Sequence, residues 1–442
     1  MRDVIFHAFN WHYRDIINAV EKIHAGGYGA ILIPQALYSN PEGEQWWQRY
    51  QPKDYRVVLS YLGGKKELQE LIEKCHQTNP KLRVYADVVI NHMANENRED
   101  RLNFPGQAEL EKYQNNPDLF EENRLYGDLS EGLFSAFDFN QLGDIQDWSN
   151  RNQVQLQNLS GLPDLKDSPW VLLQQRKMFA ALTEMGFDGF RIDAIKHITE
   201  RMIDNFADSD EIANKYLFGE VLTVGDRDED IFLDPFLRET WISAYDFPLF
   251  HTIREAFSLS GSLKRLTHPE IEDNALPWYR SLTFVVNHDV PYNGGFRSWL
   301  LDPQDEHLAY AYILGKDGGV PLVFSDHNES AKQYPEDKGR WANILERTDI
   351  LNMIHFHNTV HGKPMAILYE SDTVLVFRRG HVGIVAINKS ASEQWIEINT
   401  WGLKNPGIYQ DLIHKHQMQL SGNNFSLYIP PRTAQMWLAD ET

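Results

Sequence analysis

The sequence predicts an α/β protein: a (β/α)8 barrel, a subdomain inserted after its third strand, and a C-terminal antiparallel β-sandwich. Three observations carry that expectation. Short apolar runs alternate with amphipathic helical patterns eight times, a polar stretch over residues 92–168 breaks the alternation once, and closely spaced strand-like runs replace it from Lys363 onward. The corresponding boundaries are 1–91 with 169–361 for the barrel, 92–168 for the insertion and 362–442 for the sandwich.

Val4–Phe9 predicts the first strand, and Ile16, Ile17, Val20 and Ile23 share one face of a helix over Asp15–His24. Gly26-Gly27 ends that helix, and Ala30–Ile33 makes the second strand, stopped by Pro34. An aromatic loop follows, then a helix over Lys65–His76 and a third strand over Leu82–Ile90. Residues 92–168 are rich in Asn, Asp and Glu and lack strong periodicity; a structureless loop of that length would be unusual, so a subdomain is expected. The alternation resumes with a helix over Trp170–Glu184 and a fourth strand within Gly186–His197. Further strands are expected at Tyr216–Val221, Ser243–Phe247, Leu282–Val286 and Val320–Phe324, and a helix at Trp341–His357. In the tail, Val374–Phe377, Val382–Ile387, Trp395–Ile398 and Phe425–Ile429 read as strands between Gly, Asn and Pro turns.

Composition excludes several classes. With 42 basic against 63 acidic residues, a net −21, the chain is poorly suited to nucleic acid. No apolar run reaches the ~18 residues a membrane span needs. The single cysteine, Cys75, rules out an intrachain disulfide or a cysteine-built metal site, and its place in an amphipathic helical pattern predicts burial. Met1–His7 shows neither an apolar leader nor a small-residue cleavage site, so the cytoplasm is expected, or secretion if a leader has been removed. Twelve Trp and nineteen Tyr supply flat faces that can stack on sugar rings, although most belong to cores.

In a barrel of this kind chemistry sits at the C-terminal ends of the strands. Those ends carry Asp87, Asn91 and His92 on the third strand, Arg191 and Asp193 on the fourth, Glu220 on the fifth, and Asn287, His288 and Asp289 on the seventh. Arg191 and Asp193 are two residues apart and share a strand face. That pair alone admits two readings, a structural ion pair or an Asp kept ionised as a nucleophile. Four acids at the ends of four strands are hard to explain as helix caps. Clustered carboxylates without a thiol suit glycosidic-bond chemistry, in which one acts as nucleophile or base and another as acid. A metal-dependent hydrolase would show His-x-His on a strand or His-Glu-x-x-His on a helix; no predicted strand carries the first and no predicted helix the second. A Gly-x-Ser-x-Gly elbow and a phosphate-binding Gly-rich loop are absent too.

Asp-Val-Val-Ile-Asn-His (87–92), Gly-Phe-Arg-Ile-Asp-Ala-Ile-Lys-His (189–197), Gly-Glu-Val (219–221) and Phe-Val-Val-Asn-His-Asp (284–289) lie in order at strand ends, with Leu-Pro-Asp-Leu (162–165) closing the insertion. In these five segments the chain resembles the α-amylase family of glycoside hydrolases over nearly its whole length. The resemblance implies retaining endo-hydrolysis of internal α-1,4-glucosidic bonds in starch, glycogen or maltooligosaccharides by double displacement. A family-related transglycosylase or oligosaccharide-specific hydrolase is the alternative. It implies Asp193 as nucleophile, Glu220 as general acid and base, and Asp289 as transition-state stabiliser, with Arg191 keeping Asp193 ionised while Glu220 holds a proton. Asp87, His92 and His288 would contact the sugar being cleaved, and Lys196 and His197 the leaving-group side. The aromatic loop also resembles the animal-type members, with Tyr50 stacking on the cleaved ring and Trp46, Trp47 and Gln51 on the donor side. A non-catalytic carbohydrate-binding homologue would be expected to have lost an acid, and all three are present.

The same resemblance implies a structural calcium held by Asn91, Asp164 and the backbone carbonyls of Gln155 and His197, oxygen donors that suit a hard cation. Some members bind chloride through residues matching Arg191 and Asn287 plus a second basic group after strand eight. Here Val323–Lys332 holds no Arg in that place, which argues against chloride and leaves Lys332 as the substitute. The expected partner is an α-glucan, with no nucleic acid, no membrane and a monomeric chain.

Overall fold

Runs of three to six mostly buried residues become the strands of a parallel sheet, because a sheet covered on both faces needs apolar side chains in both directions. A computed structural model of the chain describes residues 2–95, 102–327 and 329–440. Residues 96–101 of the predicted insertion and residue 328 in the segment after the eighth strand lie outside them. Among the described residues the parallel strands are β1 (Ile5–Ala8), β2 (Ala30–Ile33), β3 (Arg83–Val88), β4 (Gly189–Ile192), β5 (Tyr216–Gly219), β6 (Ser243–Tyr245), β7 (Ser281–Phe284) and β8 (Val320–Ser325). They close into a barrel in the order β1-β8-β7-β6-β5-β4-β3-β2, as the eightfold alternation predicts. No described helix is long and apolar enough to cross a membrane.

The chain groups into two compact units. One comprises Ala8–Glu21 and Ala30–Tyr245. It holds β2 to β6, helix α1 (Tyr13–Ala25) as far as Glu21, and α2 (Lys65–His76), where Cys75 is buried as expected and burial pushes its thiol up to about 12. The region of the predicted insertion contains helices Gln107–Asn115 and Pro117–Glu122 and α3 (Arg151–Leu156), and its Tyr113, Phe120 and Leu129 pack with Tyr38 and Val57 from the loop after β2 in a small core. A buried Arg56–Asp54 pair at 2.8 Å, to which Tyr113 donates a hydrogen bond at 3.2 Å, underlies that core. Helix α4 (Pro169–Met185) starts on the Ser168 cap and Pro169 and stops at Gly186, whose φ of 115° lets the chain turn into β4.

The other unit comprises Met1–His7, Lys22–Gly29 and Asp246–Thr442. It holds β7, β8, α5 (Phe247–Phe257), α6 (Pro303–Gly315) and α7 (Thr348–Val360), and the C-terminal β region. The helix expected from Trp341 begins only at Thr348. Trp341 is fully buried and its indole N–H donates to Glu306 Oε1 at 3.0 Å, so turns and a short 3-10 segment deliver it inward before the helix starts. The C-terminal region is antiparallel. A six-stranded sheet runs β9 (Met365–Glu370), β10 (Val374–Arg379), β11 (Gly383–Asn388), β16 (Thr433–Ala439), β13 (Gly407–Asp411), β14 (Gln417–Leu420), and a second sheet pairs β12 (Gln394–Asn399) with β15 (Asn424–Ile429). Both sheets feed one core around Val376, Ile384, Ile398, Tyr409, Leu427 and Trp437. Arg379 joins this region to the end of the barrel chain by donating to the carbonyls of Gly315, Lys316, Val360 and Lys363 at 2.5–3.1 Å.

Candidate active site

The register of the parallel ladder sets the site. Asp87 on β3 stands directly beside Arg191 on β4, and Arg191 beside Phe218 on β5. The ladder continues past the strand ends, with Asp193 N donating to Val88 O at 2.9 Å and Glu220 N to Ile192 O at 3.0 Å. Alternate residues share a face, so Asp87, Arg191, Asp193 and Glu220 converge. Ala194, with φ at 47°, then turns the chain sharply into a 3-10 segment over Ile195–His197. Gly219 leaves room for that turn, since a Cβ there would lie 2.5 Å from Ile195.

One buried guanidinium serves three carboxylates. Arg191 Nη1 donates to Asp87 at 2.7 and 2.8 Å and to Asp193 Oδ1 at 2.7 Å, while Nη2 forms an ion pair with Glu220 Oε2 at 2.7 Å. Glu220 also accepts from Ala194 N at 3.3 Å. Against the expectation that Arg191 keeps Asp193 ionised, the guanidinium divides its charge among three carboxylates. Burial pushes Asp193 up to about 8 against the pull of Arg191, and the neighbouring Glu220 and Asp87 charges add to the rise. Asp87 is raised too, first by burial, with Arg191 opposing. Three carboxyls around one cation therefore hold a proton between them near neutral pH.

Tyr50 closes one side, its hydroxyl donating to Asp87 Oδ2 at 2.9 Å and its ring 5.7 Å from the Arg191 guanidinium. Trp46 meets Tyr50 edge-on at 6.1 Å, Trp47 is exposed, and Gln51 ends the short turn they share by donating its N–H to Gln48 O. His92 differs from expectation. Its Nε2 lies 3.0 Å from the Tyr50 carbonyl and its Nδ1 3.3 Å from Asn91 Nδ2, so both nitrogens are engaged in holding the tyrosine turn. Burial keeps the ring neutral, lowering it to about 4.

Beyond β4, Lys196 donates to Leu222 O at 2.7 Å over the Phe232 ring, and His197 Nδ1 lies 3.0 Å from Val154 O. Trp148, which nothing in the sequence singled out, meets His197 edge-on at 5.9 Å and is 48% exposed. In the other unit, Asp289 begins a short helix five residues beyond β7, with His288 Nε2 3.7 Å from its Oδ2. Asn287 Oδ1 accepts from Val290 N at 3.3 Å, and His288 lies 5.7 Å from the His7 ring.

Asp164 and Asn91 fit a hard cation. The Asp164 carboxylate is buried, accepts from Asn140 Nδ2 at 2.8 Å, and has no ion-pair partner among the described residues, so burial raises it to about 8. Leu165 N donates to Asn91 O at 2.9 Å, keeping the two segments together, and the Asn91 amide N turned to His92 leaves Oδ1 for an ion. Gln155 and His197 lie on two segments that hold each other, with Gln155 Nε2 donating to Ile198 O at 3.1 Å and His197 Nδ1 3.0 Å from Val154 O. Chloride fits poorly. Arg191 already faces three carboxylates, and Lys332 is exposed and held by Glu329 at 2.7 Å.

The catalytic-domain model of α-amylases matches residues 15–228, and their C-terminal all-β domain matches residues 369–440. An α-amylase of Aeromonas hydrophila is 42% identical over 423 residues, covering 93% of this chain and 90% of its own. Among solved structures, α-amylase I of Eisenia fetida superposes with a TM-score of 0.79 at 20% identity, covering 98% of this chain and 97% of its own. A three-domain cyclomaltodextrin glucanotransferase superposes at 0.73 with 22% identity, covering 99% of each chain. Both structures bear on the fold alone.

Proposed function

The chain belongs to the α-amylase family of glycoside hydrolases, and on that premise we propose that it hydrolyses internal α-1,4-glucosidic bonds of α-glucans with retention of configuration. The observation that carries this reading is the guanidinium of Arg191 bridging the carboxylates of Asp193 and Glu220. Two carboxylates on adjacent nitrogens of one guanidinium stand close, as double displacement requires at about 5–5.5 Å, rather than at the wider gap that houses an attacking water. Glu220 protonates the leaving glycosidic oxygen as Asp193 attacks the anomeric carbon. A water then loses its proton to Glu220 and displaces Asp193. Burial raises Asp87 and Asp193, so the reaction requires the cluster's proton to sit on Glu220 and leave Asp193 charged before attack. In this reading Asp289 supplies negative charge that stabilises the oxocarbenium-like transition state.

Tyr50 offers its face to the ring being cleaved, with Trp46, Trp47 and Gln51 on the donor side and Lys196, His197 and Trp148 on the leaving-group side. His288 contacts the sugar, and His92 acts through the Tyr50 turn. Calcium would be held by Asn91 Oδ1, the Asp164 carboxylate and the Gln155 and His197 carbonyls, where it would offset the buried charge of Asp164. Incubation with soluble starch tests the reading. Viscosity should fall well before reducing ends accumulate, with the α-anomer appearing first by NMR. Products longer than a maltooligosaccharide substrate would mark a transglycosylase, and an initial β-anomer would exclude retention.

A further inference from the structure

Away from the barrel mouth, Asp3, His357 and His361 bring three metal-ligating side chains together, with one donor atom of each lying within 4.8 Å of the others. His357 sits in the last turn of α7 and His361 just beyond it, a His-x3-His spacing that puts both rings on one side of the helix end. Asp3 precedes β1. The buried ring of His357 faces oxygen at both nitrogens, with Nδ1 3.2 Å from the Leu314 carbonyl and Nε2 2.8 Å from Asp3 Oδ1. A carbonyl only accepts, so Nδ1 donates to Leu314 O and Nε2 is the ring atom that faces the Asp3 carboxylate. A carboxylate oxygen at that distance calls for positive charge on Nε2, supplied by a second ring proton or by a bound cation. Asp3 Oδ2 lies 3.5 Å from His361 Nδ1, too long for a good hydrogen bond. Arg379 also acts on His361, but its guanidinium is engaged by four carbonyls.

We propose that Asp3, His357 and His361 form a binding site for a borderline divalent cation, zinc in the first instance, that clasps the segment ahead of β1 to the end of the last barrel helix. Two imidazoles and one carboxylate suit zinc rather than calcium. The Leu314 carbonyl on Nδ1 is the outer partner that orients a ligating histidine. His361 is 32% exposed on its side chain, so a water can complete a tetrahedral set. The site joins residues 354 positions apart.

The test uses the full chain, stripped with a chelator, refilled with calcium and titrated with zinc chloride by calorimetry, with the thermal midpoint read in parallel. One equivalent of zinc should bind and raise the midpoint. His361→Ala, at a half-exposed position, and Asp3→Asn should each weaken zinc binding by at least about 100-fold, exceeding the 10–100-fold typical of outer-shell losses. Both should leave the response to calcium unchanged. Absence of zinc binding would overturn the proposal in favour of a proton shared between His357 and Asp3. Zinc binding of undiminished affinity in both variants would overturn it in favour of another site, such as the stacked pair His414 and His416.

Discussion

Replacing Asp193 with Asn should remove activity and, at alkaline pH, stabilise the fold. The carboxyl is buried and rises from 3.8 to about 8 because burial, Glu220 and Asp87 together outweigh Arg191. A folded value above the unfolded one means that the folded state keeps a proton the unfolded chain has released. The associated stability is therefore fully present below the unfolded value and is lost as pH climbs through the folded one. A rise of about 4 units at about 1.4 kcal/mol each sets a ceiling of about 6 kcal/mol. Relaxation around the cluster and redistribution of its proton reduce the measurable part to about 1–3 kcal/mol. At pH 5 the protonated acid and the amide are near-isosteres, so variant and parent should unfold alike. At pH 9 the variant carries one buried anion fewer beside the same guanidinium and should unfold later. Thermal midpoints at pH 5, 7 and 9 provide the assay, with starch hydrolysis falling at least about 10⁴-fold as the parallel readout. Midpoint differences that stay constant with pH, or a variant that loses ground at pH 9, would refute the shared-guanidinium argument.

Glu220→Gln should lower turnover by about 10²–10⁴-fold or more while maltooligosaccharide binding, followed by calorimetry, is retained. Arg379→Ala should lower stability by about 3–5 kcal/mol, because buried carbonyls of Gly315, Lys316 and Val360 lose a charged donor; a midpoint shift of under a few degrees would show that water replaces it. Chelation should lower the thermal midpoint and calcium restore it, and Asp164→Asn should no longer respond; an unchanged response would place the ion elsewhere.

Much of the site is legible in the chain because a barrel exposes its strand ends and a buried strand has little reason to carry charge. Asp87, Arg191, Asp193 and Glu220 stand out as polar interruptions of apolar runs, and the five segments mark the family. The sharing of Arg191 is not legible. The sequence shows an Arg two residues from an Asp, but the pairing of Asp87 with Arg191 spans 104 residues and depends on which rungs of the ladder face each other. Trp148 escapes notice because it lies in a polar stretch without periodicity and gains meaning only beside His197. The engagement of His92 depends on where the Tyr50 carbonyl lands, which no local pattern encodes.

The C-terminal region makes the same point. β10, β11, β12 and β15 are legible as apolar or alternating runs, whereas β9, β13, β14 and β16 were not anticipated. The alternation of β14 spans only Gln417–Leu420, and Gly407 and Asp411 bound β13, so neither is stable as a strand without a partner. What the sequence determined by itself is the succession of elements and the residue types at the strand ends, because periodicity and turn chemistry are local. What only the tertiary structure decided is which of those residues share a proton, a guanidinium or a carbonyl, because those energies depend on distances between atoms far apart along the chain.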